Sequence, residues 1–150
     1  MSVAVLVAAI VSAVGLVLAS LWFAWLRPLV RRSNEWAANL GEELALTGER
    51  LLREPESALY RGGTKPHSAV KGNVKLALTN RRLIFRKLTG GLDEVSLAVV
   101  TGTRRAAWFR GARHHGRLHL VLETKEPGEI GFLVRDMESW ELAINRAIAG

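Results

Sequence analysis

A run of apolar residues at the amino terminus constrains this chain more than any other feature. The first 26 residues carry no charged side chain, and Val, Ala, Leu, Ile, Phe and Trp fill nearly all of 3–26. As an α-helix this run is roughly 36 Å long, and the hydrocarbon core of a bilayer is about 30 Å thick. Arg27, Arg31 and Arg32 end the run. The sequence therefore predicts a transmembrane anchor over residues 1–27.

A secretory signal peptide is the main alternative, and it fits this run less well. Such a peptide has a basic start, an apolar stretch of about 7–15 residues and a small-residue cleavage site. Here no basic side chain precedes the run, and the apolar stretch is longer. The arginines behind it predict a cytoplasmic remainder by the positive-inside rule. We expect a single-pass protein of a bacterial inner (cytoplasmic) membrane with its carboxy-terminal domain in the cytoplasm.

Residues 28–47 read as a juxtamembrane amphipathic helix or linker. Pro28 is expected to kink or end the first helix, because proline lacks an N–H and clashes with the preceding turn. Ser33 is suited to cap a new helix. An apolar residue then recurs every four positions, at Trp36, Leu40 and Leu44. This stripe predicts a helix that lies along the membrane surface or packs on the following domain.

The pattern of residues 48–150 indicates one antiparallel β domain closed by a helix. Apolar and polar residues alternate with a period of two, which is typical of strands, in 74–78, 83–85, 118–122 and 130–134. Short strands with turn residues between them predict a barrel or sandwich. Asp136 is suited to cap a last helix whose apolar residues share one face, namely Met137, Trp140, Ile144, Ala147 and Ile148. The predicted fold class is α+β.

No residue pattern in the chain indicates catalysis, a metal or a cofactor. The chain has no cysteine, which excludes disulfides and thiolate sites. Gly62-Gly63-Thr64-Lys65 lacks the spacing of a phosphate-binding P-loop. Adjacent histidines such as His114 and His115, with His119 nearby, seldom converge on one ion. We therefore expect a binding protein, not an enzyme.

One stretch of the domain resembles a known family. Lys71-Gly72, followed by LALTNRRLIFR at 76–86, resembles the core of GRAM and bacterial PH-like domains. Residues 94–100 are similar to the family's next short strand. Residues 131–134 and the helix around Trp140 fit its last strand and capping helix. The resemblance covers about 48–150 and implies a PH-like barrel or sandwich that binds lipids or proteins.

The resemblance also implies a candidate site on the loop between the first two strands, where the family often contacts phosphate. That loop and the adjoining strands supply basic side chains: Arg61, Lys65, Lys71, Lys75 and Arg86. Gly62 and Gly63 are expected to let backbone N–H groups approach an anion.

A second candidate patch combines basic residues with aromatic ones: Arg104, Arg105, Trp108, Arg110 and Arg113. Because neighbouring residues of a strand face opposite ways, we expect one of Trp108 and Phe109 to be buried and the other exposed.

The charge distribution favours an anionic partner. The chain has a net charge of +7, and residues 61–117 contain thirteen Lys and Arg against two acidic residues. The expected function is binding of anionic phospholipid headgroups or of a membrane protein partner. The alternatives are a structural adaptor of an envelope complex with an incidental basic face and, less favoured, a nucleic-acid-binding domain. No recognition helix or RNA-binding signature accompanies the charge.

Overall fold

A single helix of 44 residues, Val3–Leu46, begins the chain in the computed structural model, which describes residues 2–125 and 128–150. The helix comprises α1 (Val3–Leu21), a π-helical turn (Trp22–Leu26) and α2 (Arg27–Leu46). Every described residue up to Pro28 is exposed. With a mean hydropathy of 2.7 in its most apolar window, the helix is long and apolar enough to cross a membrane, by length and composition.

Pro28 does not end the first helix, because α2 continues through the proline. The π turn lies immediately before it, and there the N–H of Arg27 donates to the carbonyl of Trp22. A π turn holds one extra residue, which shifts the carbonyls that a proline ring otherwise meets in a regular helix. Ser33 is not a cap, because it lies buried inside α2.

Seven antiparallel strands follow the helix and form one sheet. Their bounds are β1 Leu51–Gly63, β2 Gly72–Thr79, β3 Arg82–Lys87, β4 Leu92–Ser96, β5 Val100–Ala106, β6 His119–Thr124 and β7 Gly128–Leu133. A short 3-10 turn, Leu97–Val99, joins β4 to β5, and α3 (Met137–Ala149) ends the chain. The strand order is β4-β3-β2-β1-β7-β6-β5, so the first strand lies between β2 and the last.

The sheet bends around one apolar core that α3 closes. Buried residues of all seven strands, including Val95 of the edge strand β4 and Val100 of the edge strand β5, belong to one cluster with Trp140 and Ile144 of α3. Asp136 caps α3 by accepting a hydrogen bond from the N–H of Ser139 at 3.1 Å. The predicted α+β class, with its apolar helix, antiparallel sheet and closing helix, is confirmed.

The outer face of β2 and β3 is covered by α2. Trp36, Leu40 and Leu44 are buried against Ala77 and Ile84, which point away from the main core. Of the two placements expected for the apolar stripe, the structure shows packing on the domain. The stripe stabilises the fold because its burial removes apolar surface of both elements from water.

A buried carboxylate fastens the end of α2 to the β2–β3 hairpin. Glu49 accepts hydrogen bonds from Nε and Nη2 of Arg82 at 3.0 and 2.9 Å, and from the hydroxyl of Thr79. Asn80 Oδ1 accepts from the N–H of Arg50 at 2.8 Å. We call Glu49, Thr79, Asn80 and Arg82 the hairpin clamp.

The clamp gives the family-like TNRR stretch, residues 79–82, a structural role. Arg82 does not project freely into solvent, because it pairs with Glu49 and Glu94. Asn80 does not adopt a positive φ. The chain reverses instead through the Thr79 hydroxyl, which accepts hydrogen bonds from the N–H groups of Arg81 and Arg82 at 3.1 and 2.9 Å.

The clamp predicts a pH-dependent stability that Glu49→Gln removes. Burial alone raises the pKa of Glu49, but hydrogen bonds from Arg82 and Thr79 outweigh it and lower the pKa below 4.5. Such a carboxylate stabilises the fold above its unfolded-state pKa and loses this contribution as the pH falls through its folded-state pKa. At pH 7 we expect the variant to lose about 1–3 kcal/mol of unfolding free energy.

Denaturant titration of the full chain in a non-ionic detergent, repeated from pH 7 down to acid pH, measures this difference. The difference in unfolding free energy between wild type and Glu49→Gln should decrease as the pH falls below about 4.5. Glu54→Gln is the matched control, because Glu54 is exposed on β1. A difference in unfolding free energy that does not change with pH would contradict the proposed role of the clamp.

Candidate functional site

The segment between β5 and β6, residues 107–118, folds back over the outer face of the sheet. Phe109 is buried with Val121 and Ala106, and its ring lies directly against Gly131 of β7. Trp108 is 60% exposed. The prediction that one of the two aromatic residues is buried and the other exposed is confirmed, although they lie in a loop and not on a strand.

This loop brings two sets of basic residues together. Lys71 Nζ donates to the carbonyl of Arg110 at 3.4 Å, across 39 positions of sequence. The Arg110 side chain lies over Gly62, next to Arg61. The positive charges of Arg61 and Arg117 lower the pKa of His114. We call this set the basic surface; its members are Arg61, Lys71, Arg110, His114 and Arg117.

The basic surface has no acidic counterpart. Within residues 2–125 and 128–150, none of its members forms an ion pair. The pKa of His114 is lowered by desolvation and then by the charges of His115, Arg61 and Arg117. Nε of Arg61 is buried and lacks a hydrogen-bond partner among the described residues. An anion bound to this surface would offset the excess positive charge.

The structure divides the first predicted set. Arg61 and Lys71 belong to the basic surface, and Lys65 is exposed on the β1–β2 loop. Lys75 of β2 and Arg86 of β3 are cross-strand neighbours on the face of the sheet beside α2. There Lys75 Nζ donates to the Ser57 hydroxyl at 3.0 Å, and the Arg86 guanidinium lies 5.8 Å from the Trp36 ring centre.

The second predicted set is divided as well. Arg104 pairs with Glu123 and Glu129. Arg105 pairs with Glu141 of α3, and its hydrogen bond to that carboxylate raises the Arg105 pKa. These two residues join β5 to its neighbours and carry no free charge. Arg110 and Arg113 remain exposed and unpaired among the described residues.

The two glycines do not form the expected anion cradle. Gly62 and Gly63 are buried at the end of β1, and the N–H of Gly63 donates to the carbonyl of Ser68 at 3.1 Å. Tyr60 also donates to that carbonyl, and burial, with Asp93 nearby, raises the Tyr60 pKa to about 12. The glycines therefore fold the β1–β2 loop tightly, and side chains supply the exposed donors.

The basic surface lies on the side of the sheet where α2 begins. Val30 and Asn34 of α2 line one hollow with Asn73, which is two residues beyond Lys71. Arg117 lines an adjoining hollow that also includes Asn73. The clamp and the β2–β3 turn lie at the other end of α2. Exposed Arg135, at the end of β7, also lines this second hollow, and no motif in the sequence indicated it.

The histidines do not gather a metal-binding group. Among the residues that the structure describes, no three His, Asp or Glu side chains are placed to hold an ion. His119 is fully buried, and its Nδ1 lies 2.9 Å from the carbonyl of Ala106.

Comparison with known proteins supports the fold alone. No protein-family model and no curated protein matches the chain. A solved structure, the C-terminal domain of an unknown protein from Leishmania infantum, is similar with a TM-score of 0.53 at 11% sequence identity. The similarity covers 75% of this chain and 97% of that one.

The contact between Phe109 and Gly131 predicts that Gly131→Ala displaces the 107–118 loop. A Cβ at this position would overlap the Phe109 ring, and overpacking of this kind costs about 1–3 kcal/mol of unfolding free energy. Gly102→Ala is the control, because a Cβ there meets nothing within 4 Å. Denaturant titration of both variants measures the difference, and equal stability would contradict the contact.

The shared charge of the basic surface predicts that Arg61→Gln raises the pKa of His114. Removing a nearby positive charge makes protonation of the imidazole easier. Histidine NMR titration of the full chain in detergent measures this pKa. Arg86→Gln is the control, because Arg86 lies beside α2 and does not act on His114. An unchanged pKa in Arg61→Gln would show that the two residues are not neighbours.

Proposed function

We propose that this chain is a single-pass membrane protein whose cytoplasmic PH-like domain binds anionic phospholipid headgroups without catalysing a reaction. Seven antiparallel strands bent around one core and closed by a carboxy-terminal helix support the PH-like assignment. The hairpin clamp supports it further, because it gives the family-like TNRR stretch a structural role.

The observation that carries the lipid proposal is the unpaired charge of the basic surface. Its cations gather on one side of the domain without ion pairs among the described residues. Each basic residue near an anionic leaflet contributes about 1 kcal/mol to binding. Exposed Trp108 lies in the same loop as Arg110 and adds an amphipathic ring suited to the membrane interface.

The anchor raises the effective strength of such binding. Because α2 continues directly from the apolar helix and packs on the domain, the headgroup layer is always within reach of the basic surface. A tethered site binds at high effective concentration, so a modest intrinsic affinity is sufficient. The three arginines after the apolar run support the cytoplasmic orientation.

A protein partner is the second candidate, and a different surface favours it. At the end of the domain near the clamp, a hollow of ≈ 630 Å³ is lined by Arg50, Leu52 and Arg146 together with Ala147 of α3. Arg50 and Arg146 form no ion pair among the described residues. An acidic partner recruited from the cytoplasm would fit this hollow without competing for the basic surface.

A single fluorescent label tests the lipid proposal. Because the chain has no cysteine, Trp108→Cys carries an environment-sensitive probe at one position of the full chain in nanodiscs. We expect a blue shift when phosphatidylglycerol is added to phosphatidylcholine discs, since the loop then enters the interface. High salt should weaken the shift by screening, and Lys71→Glu with Arg110→Glu should abolish it.

The same probe at Leu142→Cys is the control, because Leu142 is half exposed on α3. Its emission should not depend on lipid charge. If the probe at position 108 emits identically in neutral and anionic discs at low salt, the basic surface does not contact lipid. The protein-partner proposal then becomes the leading one.

A further inference from the structure

Two adjoining hollows form one groove where α2 meets the sheet. The first has a volume of ≈ 270 Å³ and lies between Val30, Ser33 and Asn34 of α2 and Ser57, Asn73 and Lys75 of the sheet. The second, of ≈ 500 Å³, shares Ser57 and Asn73 with it. Small-molecule sites typically measure about 300–1,000 Å³. We call the two together the junction groove.

The two ends of the groove differ in the groups they offer, although Lys75 and polar residues also line the end beside the helix. Val30, which is 37% exposed, and Leu88 line the end beside the helix. Arg117 and Arg135 line the other end. Arg117 donates to the carbonyl of Val134 at 2.8 Å, and neither arginine forms an ion pair among the described residues. The groove therefore offers both an apolar wall and unneutralised guanidinium groups.

The helix sets the depth of the groove relative to the apolar segment. Val30 follows Leu26, the last residue of the apolar run, by four positions, which is about 6 Å along a helix. The headgroup layer adds about 5–8 Å beyond the hydrocarbon on each side of a bilayer. The apolar end of the groove therefore opens at headgroup depth when the helix spans the membrane.

We propose that the junction groove holds one anionic phospholipid drawn from the adjacent leaflet. The glycerol and upper acyl chain lie along Val30 and Leu88, and the phosphate faces Arg117 and Arg135, which as guanidinium groups bind phosphate oxygens in pairs. The proposal rests on the proposed function only in taking the apolar helix as a membrane anchor. Arg117 belongs to both sites, but the proposal does not require the other members of the basic surface to touch the bilayer.

The site differs from the basic surface in one testable respect: α2 forms one of its walls. Arg117 contributes to both sites, but only the groove is completed by residues 30–34 of α2. A side chain that fills this wall should therefore remove the bound lipid without altering the charge of the domain.

Native mass spectrometry of the full chain, released from nanodiscs of phosphatidylglycerol and phosphatidylcholine, tests the proposal. We expect one phosphatidylglycerol to remain on the wild type, with at least about tenfold preference over phosphatidylcholine. Asn34→Trp, which fills the groove, and Arg135→Glu, which reverses its charge, should each reduce retention by about tenfold.

Each variant has a matched control. Asn39→Trp places the same side chain on an exposed position of α2 outside the groove, and Arg146→Glu makes the same charge change near the clamp. Both should retain lipid like the wild type. The proposal is overturned if the wild type retains no phosphatidylglycerol or retains both lipids equally. It is overturned equally if Asn34→Trp and Arg135→Glu retain as much as their controls.

The outcome is separable from that of the label at position 108. Retained phosphatidylglycerol without a lipid-dependent shift at position 108 supports the groove and contradicts the basic surface. A lipid-dependent shift at position 108 with no retained lipid supports the basic surface and contradicts the groove.

Discussion

The packing of α2 on the outer face of β2 and β3 is the contact on which the rest of the structure depends. Trp36, Leu40 and Leu44 cover Ala77 and Ile84, and Glu49 fastens the far end of the helix to the hairpin. Because the same helix continues into the apolar segment without a break, the domain cannot rotate freely about a linker. Its orientation relative to the apolar helix is set by this interface.

Because this orientation is fixed, the charges of the domain lie at defined positions relative to the apolar helix. The sequence carries a large basic excess in residues 61–117, but the fold neutralises part of it. Arg82, Arg104 and Arg105 all face carboxylates. Arg61, Lys71, Arg110 and Arg117 stay unpaired among the described residues and lie near the start of α2, where an anionic leaflet lies if the apolar helix spans the membrane. Under our proposal, lipid binding orients a domain that the anchor has already localised.

Under our two proposals, the basic surface and the junction groove contact lipid in different ways. The basic surface is open and suits many headgroups at once through charge alone. The groove is partly enclosed and combines an apolar wall with two arginines, which suits a single molecule. Both proposals depend on the anchor, because the anchor keeps contacts that are individually weak close to a bilayer.

Much of the fold follows from local pattern. The alternation at residues 74–78 and 130–134 and the apolar face of the last helix were sufficient to predict strands and a cap, because both patterns depend on neighbours a few positions away. The alternation did not indicate the long strand β1. This strand contains Pro55 in a region of irregular register, where a proline is tolerated because the ladder of hydrogen bonds is already interrupted.

By itself, the sequence determined the apolar helix, the α+β class and the basic excess, since composition and short-range periodicity decide these. Only the tertiary structure decided which charges stay free and where they lie. Glu49 meets Arg82 across 33 positions, and Lys71 meets Arg110 across 39. Such contacts form only when β1 pairs with both β2 and β7. This strand pairing depends on the whole core and not on any local pattern.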